Sequence, residues 1–409
     1  MARQAASISD YRALARARLP HFLFEYLDGG SYDEVTLRRN VEDLQAIALK
    51  QRVLRDVSTI DVSAELFGKR WALPVGLGPV GLSGLYARRG EVQAAKAAAA
   101  TNVPFALSTL SACSIAEVAA AEPGFWFQLY IVKDREFVAD MIARAKAAGC
   151  GALLLTVDLA VPGTRYRDYR SGLSGSMRGP VSRLKQVLQR PDWTWDVAVR
   201  GRPMTMGNLE PVLGADAALS DLMGWVAQNF DSSVTWKDVE WVRSQWSGPM
   251  VLKGILDPDD AREAIANGAD GIVVSNHGGR QLDGALSSAR ALPPIADAVA
   301  GRTAILADGG VRSGLDVVRM LALGADFALM GRGWAYALAA RGQAGVAHVL
   351  KLIEAEMRVA MALTACTSVG EIDEQMLERS RNQATFSSAS VPSLNRRSTS
   401  AADIGSANK

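Results

Sequence analysis

The stretch AILADGGVRSGLDVVRMLALGADFALMGRG, residues 304–333, contains one full repeat of the fold. An apolar run, Ala304 to Ala307, ends in Asp308 and two glycines. Ser313 opens a segment with apolar residues at helical spacing, and Gly324 closes it, as helix caps prefer. A second apolar run, Phe327 to Met330, ends in Gly331-Arg332. Runs apolar on both faces suit buried parallel strands, and the amphipathic segment between them reads as the crossover helix. Further runs stand at PVGLGPVG (74–81), VPFALST (103–109), FWFQLYIV (125–132), ALLLTVD (152–158), MVLKGI (250–255) and GIVVSN (271–276). Eight strand–helix units predict an α/β fold of the (β/α)8 TIM-barrel type rather than a doubly wound open sheet.

The chain of 409 residues is read as a single domain over 1–380, with the barrel over about 74–364. Residues 8 to about 46 read as an N-terminal helical segment with a polar turn, YLDGGSYDE. A long insertion, about 163–234, follows the fourth strand. Its first half, 165–202, carries nine Lys/Arg against three Asp/Glu and includes Trp193 and Trp195. Its second half, 203–240, carries one Lys against six Asp/Glu. The two halves could pair with each other as a solvated lid, or the basic half could meet an anionic membrane surface. The tail, 381–409, is rich in Ser, Ala and Asn and reads as disordered.

A net charge of +2 argues against nucleic-acid binding. Cys113, Cys150 and Cys366 lack metal-ligand spacing, so no metal site is expected, and the thiols read as free in a reducing compartment. No apolar run reaches the length of a membrane span, and the first twenty residues lack the apolar core of a signal peptide.

In a barrel of this type the site lies at the C-terminal strand ends. Those ends carry Pro79-Val80-Gly81, Ser108, Gln128 and Tyr130, Thr156 and Asp158, Lys253, Ser275-Asn276-His277, Asp308, and Gly331-Arg332. A ring of polar ends suggests a ligand with many hydrogen-bonding positions. The loops after strands seven and eight, ADGGVRSG and MGRG, combine glycine backbones, a helix start and the arginines Arg312 and Arg332. That combination points to the phosphate of a cofactor. His277 stands at a strand end with Asp158 available to orient it. Arg280 and Arg165, both on mouth loops, suit a substrate carboxylate, although Arg165 could belong to the basic solvated run. Lys253, inside an apolar strand, reads as a core salt bridge, a Schiff base or a charge beside an anionic intermediate.

SNHGGRQLD (275–283), with YLDGGSYDE, RRNVEDL, KGILDPDDA and GLDVVRMLALGAD, resembles the FMN-dependent (S)-2-hydroxy acid dehydrogenase/oxidase family over about residues 8–375. The similarity is greatest to its quinone-linked, lactate-oxidising bacterial branch. The resemblance implies oxidation of L-lactate to pyruvate, with two electrons passing through FMN to a membrane quinone or similar acceptor. It implies His277 as catalytic base with Asp158 as partner, and Tyr26, Tyr130, Arg165 and Arg280 as substrate contacts. Pro79, Val80, Gly81, Ser108, Gln128, Thr156, Lys253 and Ser275 would contact the flavin. Asp308, Gly309, Gly310, Arg312, Gly331 and Arg332 would hold its ribityl and phosphate. Leu110 matches a position beside the substrate side chain. Residues 165–202 would attach the protein peripherally to the cytoplasmic face of the cell membrane, and the chain would form a homo-oligomer, a tetramer in the family. A glycolate- or mandelate-type enzyme, an oxidase making hydrogen peroxide, and an FMN-dependent isomerase are the competing expectations.

Overall fold

Eight short strands carry the molecule. In the computed structural model, which describes residues 5–174, 179–201, 206–214, 217 and 219–378, they are β1 Val75–Leu77, β2 Ala106–Ser108, β3 Trp126–Tyr130, β4 Ala152–Thr156, β5 Met250–Ile255, β6 Gly271–Val274, β7 Ala304–Ala307 and β8 Phe327–Met330. All pair in parallel in the order β1-β8-β7-β6-β5-β4-β3-β2. A bridge from Leu77 to Phe105, with the Leu77 N–H donating to the Pro104 carbonyl at 2.8 Å, joins β1 to β2 and closes the barrel. Each of the eight apolar runs therefore forms a strand. The tail expected to be disordered, 381–409, lies outside the described residues, as do short parts of the insertion.

Period-two alternation explains why polar residues crowd one end. The inward positions form a lower apolar layer of Ala106, Trp126, Leu154, Val251, Val273, Leu306 and Leu329. Two residues further along each strand, the same face carries Ser108, Gln128, Thr156, Lys253, Ser275, Asp308 and Gly331. Outward positions such as Leu129, Leu153 and Leu252 pack under the crossover helices in a second core.

A feature absent from the sequence reading closes the other end. Residues Ala64–Leu66 and Lys69–Trp71 form an antiparallel hairpin around Phe67 and Gly68, both at positive φ (52° and 71°). Two left-handed central residues define the tight hairpin turn that matches strand twist. Phe67 and Trp71 pack on Trp126, with ring centroids 6.0 and 6.1 Å apart, and so plug the barrel floor.

The N-terminal segment forms the expected helices, Ile8–Arg18, His21–Asp28 and Val35–Gln45. The insertion is also helical, with elements at Tyr166–Arg170, Gly179–Leu188 and Leu219–Asn229 among others. Its basic half engages the N-terminal segment, because Arg167 meets Asp28 at 2.9 Å and Glu34 at 2.7 Å. Trp193, grouped with Trp195 as a membrane residue on sequence grounds, is instead buried, and its indole N–H donates to the Leu85 carbonyl at 2.7 Å. It anchors the insertion, and only Trp195 of the pair is exposed.

Candidate active site

The C-terminal strand ends surround a cavity of about 400 Å³, within the range of cofactor and ligand sites. Eighteen of the twenty expected site residues line it; Asp158 stands behind His277, and Ser275 lies beneath, fully buried. His277 has φ 57° and begins three successive left-handed residues with Gly278 and Gly279. This sharp turn, held by the His277 N–H donating to Ser275 Oγ at 3.0 Å, carries the imidazole to the cavity. Its Nδ1 lies 2.8 Å from Asp158 Oδ1, which leaves Nε2 as the remaining ring nitrogen. Burial alone would raise the Asp158 carboxyl; the charge and hydrogen bond of His277, aided by Lys253, outweigh it and hold the group below its ordinary value. Gly254 is required beside this dyad: its φ is 113°, and a Cβ there would fall 2.5 Å from Asp158 Cβ.

Tyr26 comes from the N-terminal helix, and Arg165 and Arg280 sit over its ring at 5.3 and 4.8 Å from the centroid. Arg280 is fixed by donating to the Tyr26 and Gly29 carbonyls at 2.7 and 2.9 Å. Arg165 is held by Asp168 at 2.8 Å, so it belongs to the cavity and not to a loose basic run. Burial, with Asp158 adding to it, raises the Tyr130 phenol well above its usual range, so it remains a hydrogen-bond donor at neutral pH.

Along the floor, Ser108 Oγ donates to Gln128 Oε1 at 3.0 Å, and Gln128 Nε2 donates to Thr156 Oγ1 at 3.0 Å. Lys253 Nζ meets Ser275 Oγ at 2.8 Å and Asp308 at 3.0 Å. Burial pushes the ammonium down, but Asp308 and Asp158 outweigh it and keep the group above its ordinary value. The ion pair with Asp308 favours a core salt bridge or a charge beside an anionic intermediate over a Schiff base.

The anion end differs from expectation in its origin. The N-terminus of the helix Gly314–Ala322 is partly occupied: Ser313 caps it at the Asp316 N–H, and Glu356 accepts from the Gly314 N–H at 2.6 Å. The helix Arg332–Thr364 after β8 has no side-chain cap among the described residues, so its first N–H groups are the ones offered. Arg312 lines the same end. Arg332 donates to the carbonyls of Leu27 (3.1 Å), Gly29 (2.7 Å) and Gly278 (2.8 Å). Burial and the neighbouring Arg280 push it down to about 10, which still leaves it charged at neutral pH. Crowded cations beside an uncapped helix start form a sink for a phosphate, while the amide, hydroxyl and ammonium groups of the floor suit the polar edge of a flavin. The residues present fit FMN.

Sequence reasoning missed several contributors. The insertion lines the cavity with Tyr169, Leu222, Val226 and Phe230, and Phe230 packs edge-on against Tyr130 at 5.2 Å. Leu222, Val226 and Phe230 repeat every four residues, a helical signal that was available in the sequence. Glu91, buried, accepts at Oε1 from the Gly84 and Ala112 N–H groups at 2.9 and 3.0 Å. It ties the loop after β1 to the loop after β2, and no local pattern announces that role.

Asp28 fastens the segment that delivers Tyr26. It accepts from Arg12 (2.5 and 2.8 Å), Arg167 (2.9 Å) and the Tyr336 hydroxyl (2.7 Å). Burial alone would raise its carboxyl, but the hydrogen bonds from Arg12 and Tyr336 hold it far below its usual value of 3.8. Asp28→Asn is expected to cost about 2–3 kcal/mol, the exposure of Arg12 reducing the full buried-pair penalty. A depressed carboxyl contributes stability above its unfolded value, which is lost as pH falls through the folded one. The urea-midpoint gap between wild type and variant should thus stay constant from pH 7 to about 4 and narrow only below that.

This barrel, with a histidine–carboxylate pair, paired arginines and an anion end around one cavity, is that of a flavin-dependent 2-hydroxy acid oxidoreductase. The chain belongs to the FMN-dependent dehydrogenase family, whose model matches residues 15–379. It is 60% identical over 374 residues to the L-lactate dehydrogenase of Ectopseudomonas mendocina (strain ymp), covering 91% of this chain and 98% of that protein. It is 61% identical over 380 residues to the L-lactate dehydrogenase of Xanthomonas campestris pv. campestris (strain B100), covering 93% and 98%. Among solved structures it is similar to the monotopic membrane protein (S)-mandelate dehydrogenase, with a TM-score of 0.85 and 35% identity over 92% of this chain and all of that one. A mandelate oxidase with (S)-4-hydroxymandelic acid gives a TM-score of 0.80 at 39% identity, covering 91% and 98%.

Proposed function

We propose that the protein oxidises L-lactate to pyruvate in this cavity and passes the two electrons through FMN to a membrane quinone. The observation that carries the chemistry is His277, backed by Asp158, sharing one cavity with Arg165, Arg280, Tyr26 and Tyr130. FMN supplies, when bound, a two-electron acceptor. Arg165 and Arg280 bind the substrate carboxylate, and Tyr26, held between them, completes that subsite. Tyr130 donates a hydrogen bond to the substrate oxygen at C2. His277 Nε2 takes the hydroxyl proton as C2 gives up its hydrogen together with both electrons of the C–H bond, and Asp158 stabilises the resulting imidazolium. Lys253, charged and buried, favours the gain of negative charge by the bound cofactor. Leu110, Leu222, Val226 and Phe230 shield the site from water and face the substrate side chain.

The acceptor reading rests on a surface of the insertion. Val181, Leu184 and Leu188, on one face of the helix Gly179–Leu188, are 76%, 59% and 68% exposed, and Trp195 and Val199 add to them. Lys185 lies among them. An exposed apolar stripe with basic residues suits an interfacial helix. No helix among the described residues is long and apolar enough to cross a membrane. Peripheral attachment to the cytoplasmic face and a tetrameric assembly complete the proposal. Similarity to the mandelate enzymes favours a second reading, a substrate with an aryl side chain.

Anaerobic addition of L-lactate to the purified holoenzyme is expected to bleach the flavin, with fast return of colour on a soluble quinone and slow return in air. Fast return in air would make the protein an oxidase. Bleaching by (S)-mandelate and not by L-lactate would overturn the substrate and keep the mechanism.

A further inference from the structure

A second crevice, of about 520 Å³, lies where the loop after β1 meets a break in the long C-terminal helix. Its lining includes Arg18, Arg88, Arg89 and Arg341, with Gln93 and Asp196. Four guanidinium groups thus share it with one carboxylate. Arg18 is committed to the carbonyls of Tyr86 (2.8 Å) and Ala339 (2.7 Å) and to Asp196 (2.6 Å). Arg89 pairs with Glu117 at 3.2 Å, and Arg341 lies against the Tyr11 hydroxyl. The Arg88 side chain is exposed, and among the described residues no acceptor meets its guanidinium. The walls are fixed: the Gln93 side chain bonds both the Arg88 carbonyl and the Gln343 N–H, the latter at 2.8 Å.

The crevice borders the apolar surface. Asp196 belongs to the turn whose Trp195 and Val199 are exposed, and Trp193 and Arg190 fasten that turn to Leu85 and Leu19. Clustered guanidiniums with one internal counterion suit a phosphate, which arginine grips through paired hydrogen bonds. We propose that this crevice holds the phosphate of an anionic lipid headgroup, an inference that rests on the membrane reading above. The apolar stripe supplies general adhesion, and the crevice supplies preference for anionic lipid.

The test is flotation of the full-length holoenzyme with phosphatidylcholine vesicles, with and without phosphatidylglycerol. Arg88→Glu is expected to weaken binding to the anionic vesicles at least about tenfold, while phosphatidylcholine binding, flavin content and bleaching by L-lactate stay unchanged. Arg88→Lys, which keeps the charge, should retain most of the binding. Equal binding of wild type and Arg88→Glu to anionic vesicles would overturn the crevice site and leave the membrane reading standing. Failure of the wild type to bind either vesicle removes both. Loss of glycerol phosphate binding in Arg88→Glu, with vesicle binding untouched, would reassign the crevice to a soluble anion.

Discussion

Replacement of His277 by alanine is expected to leave FMN bound and to slow flavin reduction by L-lactate at least about 10³-fold, the upper range for a general base. The side chain lines the cavity, while the anion end and the floor are built by other residues. Cofactor content should therefore be that of the wild type. The Nδ1 bond to Asp158 at 2.8 Å leaves the imidazole one nitrogen for the substrate hydroxyl, and alanine offers none. Rapid-mixing measurement of bleaching reads the effect directly. Near-normal reduction in this variant would sink the base assignment. Because His277 sits at φ 57°, alanine also meets a backbone conformation unfavourable to any L-residue, and a thermal melt of the variant separates that cost from the chemical one.

Gly310→Ala is expected to give the largest loss of stability, at least about 4 kcal/mol, or insoluble protein. At φ 97°, a Cβ would fall 2.0 Å from the Asn40 carbonyl oxygen, which is backbone and cannot swing aside. Gly309→Ala should be milder, since its Cβ would meet side-chain atoms, Ser288 Oγ at 2.8 Å and Asn40 at 3.3 Å. Urea midpoints and flavin content of the two variants order the costs. If Gly310→Ala folds normally and loses only flavin, the glycine serves the ligand and not the helix Val35–Gln45.

That contrast marks how far the sequence could be read. The strands were legible because parallel strands buried on both faces must be apolar, and the polar ends were legible because the inward face continues past the apolar layer. The two glycines of AILADGG were legible as special, but the reason was not: Asn40 lies 270 positions upstream of Gly310, and no local pattern reports a contact at that separation. The helix start after β7 looked like the anion site because Ser313 as a cap was visible only as a helix signal, and Glu356 arrives from the C-terminal helix. The hairpin escaped because its strands have three residues each and turn on Phe-Gly instead of a familiar turn pair. The chemistry-bearing residues were recognised by type and position; the spacing of Leu222, Val226 and Phe230 marks a helix but not the cavity it faces, and Glu91 acts through tertiary contacts alone.

The grip of Arg332 on the Leu27 and Gly29 carbonyls has a bearing on how the molecule is made. The Arg332–Leu27 bond spans 305 residues, which takes about 15–60 s to synthesise at ordinary elongation rates. Until β8 emerges from the ribosome, the segment bearing Tyr26 lacks the guanidinium that holds it. The carboxylate subsite is thus among the last parts of the chain to be completed. A growing chain could assemble much of the barrel wall while still unable to hold its substrate.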